Sequence, residues 1–188
     1  MNYIKLLVNT FRDTFADTSR VKVSNEEVAS LCRDLSRKIQ RTFSPDIVVA
    51  IDHGGSTPGE LIGRNLSIPV VHLVIRRNTD IVRRYGNDPI PLRWIISFYH
   101  HYLFRTVTPY VLKVSEVNFS EKNILIVDDS IHTGATLNVA VRYLLEHGAS
   151  SIRSASLTHI EEIKPDFTIL PQGNYSFPWS VDHQDQKK

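Results

Sequence analysis

The chain has 188 residues, 41% of them hydrophobic and 22% charged, ordinary values for one domain with a real core. Its 22 basic and 20 acidic side chains leave a net charge of +2, too slight to call for nucleic acid or a membrane surface as partner. The single cysteine, Cys32, excludes an internal disulfide and makes a reducing cytoplasm the expected home.

The N-terminal stretch MNYIKLLVNTFRDTF lacks the continuous apolar run and small-residue cleavage site of a signal peptide. Residues 1–22 read as an extension. Ser24 with Glu27 three residues on has the form of a capping box, and a helix is expected from there to about Arg41. Val28, Leu31, Cys32, Leu35 and Ile39 form its apolar stripe, so Cys32 reads as packing. Ser44-Pro45-Asp46 breaks the helix. Ile47 to Ile51 is an unalternating β-branched run, the pattern of a strand covered on both faces, and Val70 to Ile75 is expected to be a second of the same kind. Between them lie a loop, Asp52 to Thr57, and a helix opened by Pro58.

Residues 76–118 read as a long hood or interface insertion. They hold Arg76, Arg77, Arg83 and Arg84, and then an apolar stretch from Leu92 to Phe104 with Trp94, Phe98, Tyr99 and Tyr102. Broken by His100 and His101, that stretch is far short of the ~20 residues a membrane helix needs. It is too apolar to lie bare in water, which implies a subunit contact (a dimer or tetramer) or a lid. Tyr110 to Val117 suits a strand. Further strands are expected at Ile124–Val127, Ser151–Thr158 and Phe167–Leu170, with a helix from Leu137 to His147 stopped by Gly148. Asp182 to Lys188 is a polar tail. Strands alternating with helices imply a single α/β domain, 1–188, with a doubly wound, mainly parallel sheet flanked by helices. Ligands bind such sheets at the carboxyl ends of the strands.

The window Ile124-Leu125-Ile126-Val127-Asp128-Asp129-Ser130-Ile131-His132-Thr133-Gly134-Ala135-Thr136 carries the most chemistry. A buried strand delivers two adjacent carboxylates to a small hydroxyl-rich turn and then a helix. The turn can offer backbone N–H groups and the Thr133 and Thr136 hydroxyls to a phosphate at the positive end of the helix dipole. The carboxylates can accept from vicinal hydroxyls, and one can hold a divalent metal. Sugar hydroxyls a few ångströms from a phosphate describe a ribose 5-phosphate. A response-regulator receiver shares the apolar run and acidic pair, but carries them near the start of its domain and gives Thr133 to Thr136 no role.

This window resembles the 5-phosphoribosyl-1-pyrophosphate (PRPP) motif of the type I phosphoribosyltransferases. By that resemblance Asp128 and Asp129 grip the ribose hydroxyls, Asp129 contacts Mg²⁺, and Ser130, Ile131, His132, Thr133, Gly134, Ala135 and Thr136 hold the 5-phosphate. Ile51-Asp52-His53-Gly54-Gly55-Ser56-Thr57-Pro58-Gly59 is similar to the pyrophosphate loop of the xanthine/guanine branch. His53, Gly54, Gly55 and Ser56 are thereby pyrophosphate-binding, with Arg76 and Arg77 as neutralising cations. In the family this loop holds a non-proline cis peptide, and His53–Gly54 is the expected position. Lys164-Pro165-Asp166-Phe167, Pro171-Gln172 and Phe177-Pro178-Trp179 resemble the C-terminal hood of the purine enzymes. There Tyr175 or Trp179 is implied to stack on the base.

Two positions depart from the family. His132 stands where purine enzymes carry an Asp near the base, and His159 falls nearest a Lys that contacts the base's exocyclic oxygen. A neutral imidazole can exchange a proton with the base, so His132 joins Asp128 and Asp129 as a catalytic candidate and His159 is base-binding. The implied function is Mg²⁺-dependent transfer of phosphoribosyl from PRPP to a nitrogenous, purine-like base in nucleotide salvage. The alternatives are the same chemistry on a nonstandard base, a non-catalytic sensor of PRPP or a nucleotide, and an interaction protein built around the aromatic segment. A nucleic-acid-binding domain would be expected beside a sensor, and residues 1–22 are too few to supply one.

Overall fold

A computed structural model of the chain describes residues 20–76, 107–114, 116–160 and 163–180. The expectations for Arg77, Arg83, Arg84, the aromatic segment 92–104 and the polar tail lie outside the described residues. The chain divides into two compact units, and the described residues fall almost wholly in the one made of Arg20–Ile75 and Val111–Lys188.

Within that unit, β1 (Val21–Lys22) leads to α1 (Asn25–Gln40), then β2 (Ile47–Asp52), α2 (Ser56–Leu66) and β3 (Val70–Arg76). After β4 (Tyr110–Val114) come β5 (Asn123–Ile131), α3 (Ala135–Glu146), β6 (Ser151–His159), β7 (Phe167–Thr168) and β8 (Tyr175–Ser176). The main sheet runs β4-β3-β2-β5-β6-β7. Pairing is parallel at β2–β3, β2–β5, β5–β6 and β6–β7.

The expected elements form for the expected reasons. The Ser24 hydroxyl accepts from the Glu27 N–H at 3.2 Å, and the Glu27 carboxylate accepts from the Ser24 N–H at 2.7 Å, satisfying two of the donors a helix start leaves open. Val28, Cys32, Leu35 and Ile39 are buried. Burial pushes the Cys32 thiol up to about 12, so it stays protonated and unreactive. Gly148, at φ +83°, follows α3 as the stop signal.

The core lies in two layers because side chains alternate across a strand. Val48, Leu125 and Val127 pack under α1 and α2 with Cys32, Leu35, Ile39 and Ile62. Ile47, Val49, Ile51, Ile124 and Ile126 pack with Ala140 and Leu144 of α3. Two helices cover one face and one the other, the doubly wound arrangement. Gly59 and Gly63 let α2 press onto the sheet: a Cβ at Gly59 would come 2.5 Å from the Ala50 Cβ, and one at Gly63 2.2 Å from the Val70 Cγ2.

Two expectations need correction. β3 is not covered on both faces: Val71, Leu73 and Ile75 are buried while His72, Val74 and Arg76 are half-buried, because α3 backs one face while the other lies near the margin of α2. β5 also does not stop at Val127. It runs on to Ile131, where Ser130 and Ile131 pair with Thr158 and His159 of β6. Among the described residues no helix is long and apolar enough to cross a membrane.

Candidate active site

β2 and β5 are parallel neighbours, with Ala50 opposite Val127, so the chain leaves both strands at the same end of the sheet. The glycine loop after β2 therefore meets the acidic pair on β5, although some seventy residues separate them in sequence. The fit is close. A Cβ at Gly54 would stand 2.5 Å from the Asp129 Cγ, and one at Gly55 would stand 2.3 Å from the Val127 carbonyl oxygen. Only glycine allows this approach. The loop holds a non-proline cis peptide at Asp52–His53, one bond earlier than the expected His53–Gly54.

Alternation along β5 separates the two carboxylates. Asp129 continues the face of Leu125 and Val127, toward α1 and α2, and Asp128 the face of Ile124 and Ile126. Burial pushes Asp128 well above the usual carboxylate range, and the neighbouring Asp129 charge adds to the rise. Burial also raises Asp129, offset in part by the Trp179 indole N–H and the Ser130 backbone N–H. Two carboxylates crowded in this way want hydroxyl donors or a cation.

After β5 the chain turns through His132 and Thr133 to Gly134, which caps α3 with φ +69° and no side-chain hydrogen bond to the helix start. The Thr133 hydroxyl accepts a long 3.4 Å bond from the Ala135 N–H. No acidic residue occupies the first turn of α3. The positive end of its helix dipole favours an anion there.

The sequence matches the family described as phosphoribosyl transferase domain over residues 23–186. The chain belongs to this family. It is similar to the hypoxanthine-guanine phosphoribosyltransferase of Schizosaccharomyces pombe, at 26% identity over 68% of this chain, and spans 61% of that relative's length. Its fold is similar to that of a purine phosphoribosyltransferase from Pyrococcus horikoshii, with a TM-score of 0.66 at 20% identity, covering 86% of this chain and 94% of the other. It is similar also to the Trypanosoma cruzi hypoxanthine phosphoribosyltransferase in complex with IMP, with a TM-score of 0.60 at 11% identity over 85% of this chain and 83% of that one.

The C-terminal hood of this phosphoribosyltransferase domain is built from the residues singled out in the sequence. Asp166 ties β7 to β6, bonding the Ser154 N–H and hydroxyl at 2.8 Å each and the Arg153 guanidinium at 2.7 Å. Burial works to raise the Asp166 carboxyl, but these donors outweigh it and hold it below its usual range. The Thr158 hydroxyl donates to the Pro171 carbonyl at 2.9 Å, the Gly173 N–H to the His159 carbonyl at 3.1 Å, and the Gln172 amide to the Ile160 carbonyl at 2.8 Å. The segment 171–173 thus braces the end of β6. Two buried polar atoms near the strand ends, the His159 Nδ1 and the Ser130 hydroxyl, have no hydrogen-bond partner among the described residues. Such atoms ordinarily find one, and a ligand would supply it. His132 is exposed on the turn.

The hood aromatics stack in a ladder. Tyr175 and Phe177 have ring centroids 6.4 Å apart, and Phe177 and Trp179 5.3 Å apart at an interplanar angle of 12°. The Trp179 indole N–H donates to the Asp129 carboxylate at 2.6 Å. That contact had no sequence signal, since the two residues lie 50 positions apart.

Sequence reasoning also missed a cluster beside the glycine loop. Asp52 accepts from the Ser56 hydroxyl and from the His72 Nδ1 at 2.9 Å, and the His72 Nε2 meets the Glu60 carboxylate at 2.9 Å. The Glu60 and Asp52 bonds raise His72 above its ordinary value. Burial opposes ionisation of Asp52, yet the Ser56 and His72 donors hold its carboxyl low. Strand pairing assembles the cluster, with His72 on β3 directly across from Ala50 and Glu60 one helical turn beyond Ser56.

Proposed function

We propose that this domain transfers phosphoribosyl from PRPP to a nitrogenous base, a purine by the company its fold keeps, with release of pyrophosphate. The observation that carries the reading is the seat of Gly54 on the Asp129 carboxylate. It joins a pyrophosphate-type glycine loop to a ribose-type acidic pair at one end of one sheet. The 5-phosphate would lie on residues Ser130 to Thr136, at the start of α3. Pyrophosphate would lie on His53, Gly54, Gly55 and Ser56.

Asp128 and Asp129 would accept from the ribose hydroxyls. Their charge would also stabilise the oxocarbenium character that develops as the bond from C1 to pyrophosphate breaks, as carboxylates do in glycoside hydrolysis. A base nitrogen forms the new bond to C1, and its proton passes to a basic group, for which His132 is the candidate. The base would stack on Tyr175, with the unpartnered His159 nitrogen in reach of its polar edge. A hood over these groups would keep water from hydrolysing PRPP.

The donor set suits Mg²⁺. Mg²⁺ takes oxygen ligands and characteristically binds through one or two carboxylates plus substrate phosphates, and Asp128 and Asp129 are the carboxylates on offer. Asp129 would hold it, and when bound it would neutralise charge on the departing pyrophosphate.

Calorimetric titration with PRPP, with and without Mg²⁺, tests the reading, followed by turnover with a panel of purine and pyrimidine bases. Binding that needs the metal and is lost in Asp128→Asn/Asp129→Asn is the expected result. Failure of the native protein to bind PRPP would overturn it. Binding without turnover on any base would make the domain a sensor.

A further inference from the structure

Trp179 is a hood residue, yet its only polar atom is spent on a carboxylate of the ribose site. The indole has one donor and no acceptor, and that donor lies 2.6 Å from an Asp129 oxygen. The same carboxylate also rests on Gly54, where a Cβ would fall within 2.5–2.6 Å of all three carboxyl atoms. Asp129 thus has two fixed neighbours, the Gly54 backbone and the Trp179 indole N–H.

The indole is itself fixed. Phe177, 2% exposed, stacks on its ring and is part of the core under α1 and α2. The turn carrying it is closed twice: the Phe177 N–H donates to the Ser180 hydroxyl at 3.1 Å, and the Ser180 N–H to the Phe177 carbonyl at 2.8 Å. The preceding residues form β8, paired in parallel with β1, and the Val23 N–H donates to the Ser176 carbonyl at 3.0 Å. A ring anchored on this many sides is a rigid post for the carboxylate.

We propose that Trp179 is a positioning residue for PRPP: its indole N–H sets the orientation in which Asp129 receives the ribose hydroxyls, so that the C-terminal hood and the ribose site act as one unit. The inference rests on the PRPP reading above. It assigns Trp179 a task other than stacking on the acceptor base, a task a phenylalanine could perform equally well.

That difference gives the test, made on the full chain. Trp179→Phe keeps the ring against Phe177 and removes only the donor. Loss of that hydrogen bond should raise the Kd and KM for PRPP about tenfold, leaving the KM for the base unchanged. A raised KM for the base with PRPP binding intact would mean that Trp179 serves the base, and no change in either would mean that its N–H is idle; both overturn the proposal. If Trp179→Phe loses stability, the decision passes to fluorescence. With Trp94→Phe, Trp179 is the sole tryptophan; PRPP alone should shift its emission, and emission that responds only to base would overturn the proposal. Native protein that binds no PRPP would instead sink the proposed function, and this assignment with it.

Discussion

Gly54 lies flat against the carboxyl group of Asp129, with no room for even one added carbon: a Cβ there would approach the Asp129 Oδ1 to 2.5 Å. Its neighbour Gly55 is equally crowded but by different atoms, the carbonyl oxygens of Val127 at 2.3 Å and Ile51 at 2.8 Å. A carboxylate can be pushed aside, whereas a strand carbonyl in the sheet cannot. Gly54→Ala should therefore fold, and weaken PRPP binding about tenfold by displacing Asp129. Gly55→Ala should cost about 1–3 kcal/mol of stability through overpacking. Thermal unfolding and PRPP titration on the two variants separate these effects. Equal behaviour would mean that the loop acts as one steric block.

Asp128 presents a conflict between stability and function. Its carboxyl is raised by burial and then by the charge of Asp129. A group raised in the folded state favours folding fully below its ordinary value, and that contribution is lost as pH rises through the folded value. Charging this buried carboxyl as pH rises burdens the ligand-free protein. Asp128→Asn should raise the ligand-free melting temperature near pH 8, by about 2–4 °C for each kcal/mol recovered, with a smaller gain near pH 5. The same substitution should weaken PRPP binding more than about tenfold. A variant less stable than the native protein at pH 8 would contradict the sign.

The His72 bridge predicts a pH window. His72 is raised by its bonds to Glu60 and Asp52, so its contribution is complete below the ordinary histidine value and fades as pH climbs through the folded value. Asp52 is held low by Ser56 and His72 against its burial, so its contribution exists above the ordinary carboxylate value and fades as pH falls. The two overlap between about pH 4.5 and 6. His72→Gln should be most destabilising inside that window, with the loss fading as pH climbs through the folded His72 value. With the imidazole 36% exposed, solvent screening keeps the effect below about 1 kcal/mol. Melting curves across pH 4 to 9 would show it; a gap that widens with pH would count against the bridge.

The pattern of these contacts explains what the sequence made legible. Local signals held: the Ser24–Glu27 box, the apolar run into Asp128, and Gly148 after α3 all act within one turn or one strand. The meeting of residues 53–56 with Asp128 and Asp129 was readable only through family resemblance, because nothing in either segment encodes parallel pairing of β2 with β5. The continuation of β5 through Asp128 to Ile131 was hidden because polar residues at a strand end look like a loop, and its partner Thr158 supplies the pairing from another segment. The two-residue strands β1 and β8 are too short to leave a period. Asp129 with Trp179, and His72 with Asp52 and Glu60, are contacts made by topology. They have no spacing to find.

Phe177 should carry more of the fold than its place in a tail segment suggests. It is 2% exposed, belongs to the same core as Leu35, Ile39 and Leu157, and is stacked between Tyr175 and Trp179. Phe177→Ala would open a cavity beneath both rings and cost about 3–5 kcal/mol, the range for emptying a buried aromatic position. Phe177→Leu keeps most of the volume and should cost less than about 1.5 kcal/mol. If Phe177 is the base on which the Trp179 post stands, PRPP affinity should fall in Phe177→Leu by more than its small loss of stability accounts for. Urea unfolding and PRPP titration measure the two quantities on one preparation. An alanine variant as stable as the native protein would show that the hood is not part of the core.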